Sequence, residues 1–265
     1  MVRYFTDFAA DPYYNMAFDE WMFERVLDGH GSFYLRLYGW ARPAITFGFN
    51  QVYERAVDCS RLGNLPVIRR VTGGRALLHD SSELTYSLAV KLVGGNAAPA
   101  GSPRELSVRI TDMLMNFLSS LGIECDYVRQ SSAQNARREF FHKAPCFESL
   151  ARHEIVSHQR KIIASAQRRV YDTLFQHGSI KIGGLAAHPA IPLRFPERQY
   201  PTELEPISEQ TFGHMEHQFA LAFERWLNGR TQPSDVAECE RRDVLRRLQY
   251  VRKNCLARRD IFKQK

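Results

Sequence analysis

Arg69-Arg70-Val71-Thr72-Gly73-Gly74-Arg75-Ala76-Leu77-Leu78-His79-Asp80 is the stretch on which the reading of this chain turns. Residues 67–70 read as a short strand and residues 76–78 as another, so the glycine pair is a hinge between two strands. Glycine reaches positive φ without a Cβ penalty and lets a ligand approach the backbone closely. Successive strand side chains point to opposite faces, so one of Arg69 and Arg70 can face a site while the other turns away. Arg75 adds fixed positive charge beside the hinge. His79 is either a core histidine held by Asp80 or a group facing the site. The spacing matches neither a Walker A loop nor a dinucleotide-binding fingerprint.

Working outward, residues 12–27 carry Tyr14, Ala17, Phe18, Trp21 and Phe23 on a mostly apolar face, with Asp11-Pro12 as a helix start. Residues 33–38 and 44–47 read as strands around a turn at 39–43, and a helix is expected over 52–61. Strands follow at 84–90, 155–156, 161–166 and 174–182. Leu106, Ile110, Met113, Leu114, Phe117, Leu118 and Leu121 recur at the helical period, and Gly122 closes that helix. Prolines at 189, 192, 196, 201 and 206 mark a loop-rich crossing before two helices at 212–227 and 236–250. Strands and helices mix without regular βαβ alternation. The expected class is α+β, a mixed sheet with flanking helices, with a catalytic domain over 1–230 and a basic helical C-terminal extension over 231–265.

The bulk numbers exclude several classes. With 44% hydrophobic and 25% charged residues over 265 positions, the chain has the composition of a globular protein with one large domain. No apolar run reaches the ~18 residues that span a bilayer, and residues 1–7 lack a signal-peptide core, so a cytoplasmic location is expected. Five cysteines, an odd number without a CxxC pair, argue against a disulfide framework and a zinc ribbon. The net charge of +7 is partly concentrated after Arg241. Nucleic acid, a membrane or an acidic protein could meet such a surface, or it is a solvated helix face. No helix-turn-helix, RNA-recognition or zinc-finger pattern accompanies it, so nucleic acid is disfavoured.

Several motifs in order carry a resemblance. Arg-Arg-x-Thr-Gly-Gly-x-Ala-x-x-His-Asp is followed by Glu83-Leu84-Thr85-Tyr86-Ser87 and preceded by Asn15-Met16-Ala17-Phe18-Asp19-Glu20. Lys161-Ile162-Ile163-Ala164-Ser165-Ala166-Gln167 and Gln176-His177-Gly178-Ser179 come later. Over residues 1–185 the chain resembles the biotin/lipoate protein ligase and transferase superfamily. Pro145-Cys146-Phe147, and Arg75 in place of a third glycine, are similar to its octanoyltransferases of the LipM type.

That resemblance implies a transfer of octanoyl from acyl carrier protein, through a thioester on Cys146, to a lysine of a lipoyl domain or of the glycine-cleavage H protein. It implies no cofactor and no metal. Thiolates are good nucleophiles and good leaving groups, and His142, Lys143 and Lys161 are candidates to stabilise one. Lys161 is expected at the acyl carbonyl, where an ammonium stabilises an oxyanion. Arg70, Thr72, Gly73, Gly74, Arg75, His79, Ser165, Gln167, His177 and Gly178 are expected to bind substrate. An apolar tunnel should end near the hinge, with Tyr38, Leu77 and Ile163 considered for its lining. Ala164 and Gln159 stand where the family usually has glycine, which bears on acyl length. Three other readings stay open: an ATP-dependent lipoate ligase, an octanoyl amidotransferase between lipoyl-accepting proteins, and a non-catalytic carrier-binding protein.

Overall fold

Residues 2–10 form a strand that the sequence pattern does not announce. The computed structural model describes residues 2–92, 102–127, 155–158, 160–184, 190–191, 204–229 and 234–257. In it, β1 (Val2–Ala10) pairs in parallel with β2 (Phe33–Trp40). Its aromatic residues do not alternate cleanly with polar ones because both faces are covered. Tyr4 stacks on Phe219 on one side, while Phe5 meets Phe18 and Trp21 on the other.

The main sheet continues from β2 to β6 (Leu84–Lys91), β11 (Thr173–Ile180) and β10 (Ile163–Val170), each pair antiparallel. One face is covered by α1 (Pro12–Leu27). Asp11 accepts from the Tyr13 amide at 3.0 Å, and Pro12 begins the helix without wasting an amide. Phe18, Trp21, Phe23 and Val26 pack with Tyr34 and Phe175 of the sheet. The other face is covered by α3 (Pro103–Ser120) and α4 (Glu209–Leu227), which share a core with Leu35, Leu37, Leu88 and Val90. A Ser102/Glu105 capping box opens α3, and Asn228 in a left-handed conformation closes α4. Burying each such large side chain is worth about 1.5–3 kcal/mol, so the double-sided cover fixes the register of the central strands.

Two smaller sheets complete the fold. One has the order β4-β3-β5, from β3 (Ala44–Phe47), β4 (Val67–Arg69) and β5 (Leu77–His79). The other joins β7 (Asp126–Tyr127), β8 (Ile155–Ser157) and β9 (Arg160–Lys161). The last helix, α5 (Glu238–Lys253), lies along α1, with Val244 beside Phe5 and Phe18 and Val251 beside Met16, Trp40 and Ile68. The expected division between residues 230 and 231 falls outside the described residues. Among the described residues, no helix is long and apolar enough to cross a membrane.

Three expectations need correction. The helix expected over 52–61 is broken: α2 (Tyr53–Ala56) ends at an extended Val57, and Asp58 then caps a separate 3-10 turn, Cys59–Arg61, through the Ser60 amide. The turn expected at 39–43 starts later, because β2 runs through Gly39 and Trp40; a Cβ at Gly39 would stand 2.1 Å from the Phe8 carbonyl oxygen. The strand expected over 161–166 is two strands in different sheets. Lys161 ends β9, Ile162 donates to the Ile155 carbonyl, and β10 starts at Ile163.

Candidate active site

The two hinge arginines diverge as strand geometry requires. Arg69 donates to the carbonyls of Phe49, Gln51 and Leu256 and lies over the Phe47 ring, which makes it a brace for neighbouring loops. Arg70 turns the other way. Its Nη1 donates to Thr46 Oγ1 at 3.1 Å, and its Nη2 donates to the carbonyls of Gly73 at 2.9 Å and Arg75 at 2.7 Å. Gly74 takes the left-handed conformation, φ 86°, and a Cβ there would meet the Arg70 guanidinium at 2.7 Å. Gly73 does not adopt positive φ, and a Cβ there would meet nothing within 4 Å. The turn therefore needs glycine at 74 rather than at both positions.

Two buried histidine–carboxylate pairs flank this hinge. His79 Nδ1 lies 2.6 Å from Glu83 Oε1, and its Nε2 lies 2.8 Å from Thr46 Oγ1. Its ring stacks on Trp40, centroids 3.9 Å apart. The partner is Glu83 and not the expected Asp80, whose carboxylate accepts from the Ser82 amide and hydroxyl instead. Burial holds the His79 imidazole below its ordinary pKa despite the carboxylate beside it. Burial opposes the charge on Glu83 too, yet Lys181 and His79 together keep that carboxyl below the usual range.

His177 forms the second pair, with Nδ1 3.0 Å from Asp19 Oδ2 and Nε2 2.6 Å from the hydroxyl of hinge residue Thr72. Asp19 also accepts from the Tyr38 and Ser87 hydroxyls, and fully buried Arg36 stands 3.8 Å away. These acidic and basic residues are buried inside α1 and the sheet because each meets an opposite charge or a donor. Burial, then Asp19, pushes the Tyr38 phenol well above its ordinary pKa, so it stays a donor.

Between the hinge sheet and the main sheet lies a narrow, partly open cleft with a cavity volume of about 20 Å³. Thr46, Arg70, Leu77 and His79 line one wall; Tyr38, Thr85, Ala164, Ser165, Ala166, His177, Gly178 and Ser179 line the other, and Met16 of α1 closes an end. Of the expected substrate residues, Arg70, His79, Ser165, His177 and Gly178 therefore face one cleft. Thr72, Gly73, Gly74 and Arg75 are not among its lining residues. Gly178 leaves room for Tyr86 and Ser165, which a Cβ would meet at 2.5 and 2.7 Å. The Tyr86 hydroxyl, pushed up to about 12 by burial, bonds Ser165 Oγ at 2.8 Å. Gln167 faces away, donating to Ser107 Oγ of α3 at 2.6 Å. Tyr38 and Leu77 line the cleft as considered, whereas Ile163 packs in the opposite core.

Lys161 is 4% exposed and pairs across β8 with Val156. Residues 128–154, with His142, Lys143 and Cys146, lie outside the described residues. The strands on either side of them, β7 and β8, pair with each other through Tyr127 and Ile155. Among the described residues, no group of three or more His, Cys, Asp or Glu could hold a metal ion. Sequence reading missed Ser179, Thr46 and Thr85 in the cleft. Ser179 Oγ is buried and has no hydrogen-bond partner among the described residues. Its signal was its place beside His177-Gly178, two residues from a candidate on the same strand face.

The family model described as lipoyl protein ligase A/B catalytic domain matches residues 11–188. A protein of Carboxydothermus hydrogenoformans named octanoyltransferase LipM is 38% identical over 173 residues, 63% of this chain and 60% of that protein. The match thus spans about three fifths of that relative's length. A protein of the same name from Kyrpidia tusciae is 30% identical over 243 residues, 86% of this chain and 88% of that one. Among solved structures, a lipoate-protein ligase A bound with ATP superposes with TM-score 0.67 at 17% identity, covering 94% of both chains. A bipartite lipoate protein ligase of Thermoplasma acidophilum gives 0.65 at 14% identity, covering 93% of this chain and 92% of that one. At such identities the structures show the fold, which is the expected α+β ligase-type catalytic domain.

Proposed function

The chain belongs to the lipoyl protein ligase A/B catalytic-domain family, and from that premise we propose that it is an octanoyltransferase of lipoate assembly. The donor is octanoyl-acyl carrier protein, and the acceptor is a lysine of a lipoyl domain or glycine-cleavage H protein. The observation that carries this reading is the narrow cleft beside the hinge, whose lining includes Met16, Tyr38, Leu77, Ala164 and Ala166, in a chain similar over 63% and 86% of its length to two proteins named octanoyltransferase. Burying a saturated chain there gains roughly 0.8 kcal/mol per methylene, enough to set a length preference.

In this reading the Cys146 thiolate attacks the donor thioester, and the donor thiol leaves. The acyl group then sits on Cys146 as a thioester, and the acceptor amine displaces that thiolate to form an amide. Lys161 stabilises the oxyanion of both tetrahedral intermediates. The segment with Cys146 is bounded by the two strands that pair beside Lys161, which supports assigning the two residues to one step. Residues 1–230 form the catalytic domain and residues 231–265 a basic extension. The extension's exposed arginines favour an acidic carrier protein as partner.

The test mixes the purified protein with octanoyl-acyl carrier protein in the absence of ATP and weighs it intact by mass spectrometry. One octanoyl adduct is expected, absent in Cys146→Ala and removed by hydroxylamine. Acyl transfer to a lipoyl domain only when ATP and free lipoate are added, undiminished in Cys146→Ala, would instead make the protein a ligase.

A further inference from the structure

The hinge is held from behind by a chain of hydrogen bonds that starts at a buried lysine. Lys181, just past β11, is 5% exposed. Its Nζ donates to the Leu78 carbonyl at 2.9 Å, forms an ion pair with Glu83 Oε2 and stands 3.8 Å from Asp80 Oδ2. Glu83 accepts from His79 Nδ1, which assigns the proton of the neutral ring to that nitrogen. His79 Nε2 is then an acceptor and takes the Thr46 hydroxyl proton. The Thr46 oxygen in turn accepts from Arg70, whose remaining N–H groups hold the Gly73 and Arg75 carbonyls. Every link has one donor and one acceptor, and the order runs one way from Arg70 to the carboxylate.

A proton on His79 Nε2 would break that order. The Thr46 hydroxyl would lose its acceptor, and a second positive charge would stand beside Arg70. The charged and titratable groups around the ring are Glu83, Lys181 and Arg70, with Asp80 beside Lys181 and Tyr38 near enough to Glu83 to feel its charge. Glu83 favours a charged imidazole, whereas Lys181 and Arg70 disfavour it, in addition to burial.

We propose that Lys181 is a positioning residue for acyl transfer: through Glu83, His79 and Thr46 it keeps the Arg70 guanidinium on the hinge carbonyls, and so fixes one wall of the acyl cleft. The lysine is not among the residues that line the cleft; besides Glu83 it holds the Leu78 carbonyl, between the lining residues Leu77 and His79. This deepens the transferase reading and rests on it for the activity measurement.

The experiment follows kcat/KM for octanoyl transfer between pH 5.5 and 8.5 in wild type, Lys181→Met, Thr46→Val and the double variant. Without Lys181, the Glu83–His79 pair takes up its proton at higher pH. An upward displacement of the acid limb is expected, hence a loss that is small at pH 8.5 and grows as the pH falls toward 5.5. Thr46→Val cuts the relay, so adding Lys181→Met to it should change nothing further. A loss that is the same at every pH, or two effects that add, would reduce Lys181 to a structural ion pair and overturn the proposal. Should Lys181→Met not fold, Glu83→Gln with Lys181→Gln removes both charges without stranding either, and Thr46→Val must again mask its effect. Nitrogen NMR of the His79 ring gives a readout that needs no activity. The Nδ1–H form is expected at pH 7, with titration moved upward in Lys181→Met. An Nε2–H ring, or an unmoved titration, overturns the relay even if the protein proves to transfer no octanoyl group.

Discussion

Ala164 places one methyl group in the wall of the cleft, opposite the hinge sheet. Ala164→Gly should therefore relax the length limit, raising kcat/KM for a decanoyl over an octanoyl donor about threefold to fourfold, the worth of roughly one methylene. Competition between the two donors, read by product mass, measures it. Ser179 and Thr72 make a second comparison. Ser179 Oγ has no hydrogen-bond partner among the described residues, so Ser179→Ala should leave the urea midpoint nearly unchanged. Thr72→Val strands His177 Nε2 in a buried site and should cost about 1–3 kcal/mol. At this scale the sequence pointed to Arg70, His79, Ser165, His177 and Gly178, which line the cleft, but not to their partners. Asp80 is adjacent to His79 in sequence, yet neighbours along an extended chain face opposite ways. Glu83 reaches the ring only because the chain reverses between β5 and β6, and no spacing rule reveals which of two nearby carboxylates the turn will select. Arg69 and Arg70 could be told apart in principle but not assigned, because the register of β4 depends on β3.

The reversal from β5 into β6 contributes to the acid sensitivity of the fold. His79 and Glu83 both have pKa values below their reference values of 6.5 and 4.5. In the unfolded chain each takes up its proton at a higher pH than in the native one. The stability each contributes is thus present above the unfolded pKa and declines as pH falls toward the native value. Denaturation in urea should show stability falling from below about pH 6.5, by up to about 1.4 kcal/mol per pH unit for one proton, with a further loss below about pH 4.5. A flat profile between pH 7 and 5 would contradict a neutral His79 in the native protein. Elements with strong local signals were readable: the α1 start at Asp11-Pro12, the apolar repeat of α3 and the short β3. The missed and broken ones share a cause. β1 lies between two apolar layers and shows no alternation, α2 stops where Asp58 finds a competing local cap, and the 161–166 segment changes sheets at Ile162.

Across the whole molecule, α5 is bound into the domain it follows. Val251 shares a cluster with Met16 and Tyr38, which line the cleft, and the Cys255 and Leu256 carbonyls accept from Arg69, next to the hinge. A chain ending at residue 237 should be less stable by several kcal/mol, since burial of Val244 and Val251 alone is worth about 1.5–3 kcal/mol each. Soluble yield and the urea midpoint report this, and an unchanged midpoint would make the helix a separable appendage. The sequence showed the helix and its basic face but not this attachment, because its inward residues are few and distant from their partners. The same arrangement governs when the protein can be finished. Tyr4 offers its carbonyl to the Ser234 amide, Arg3 reaches Glu240, and Phe5 waits for Val244. At a synthesis rate of about 5–20 residues per second, the opening strand must persist for roughly ten to fifty seconds before its cover is made. During that interval Phe5 has Phe18 and Trp21 of α1 beside it but not Val244, so α5 closes this layer last.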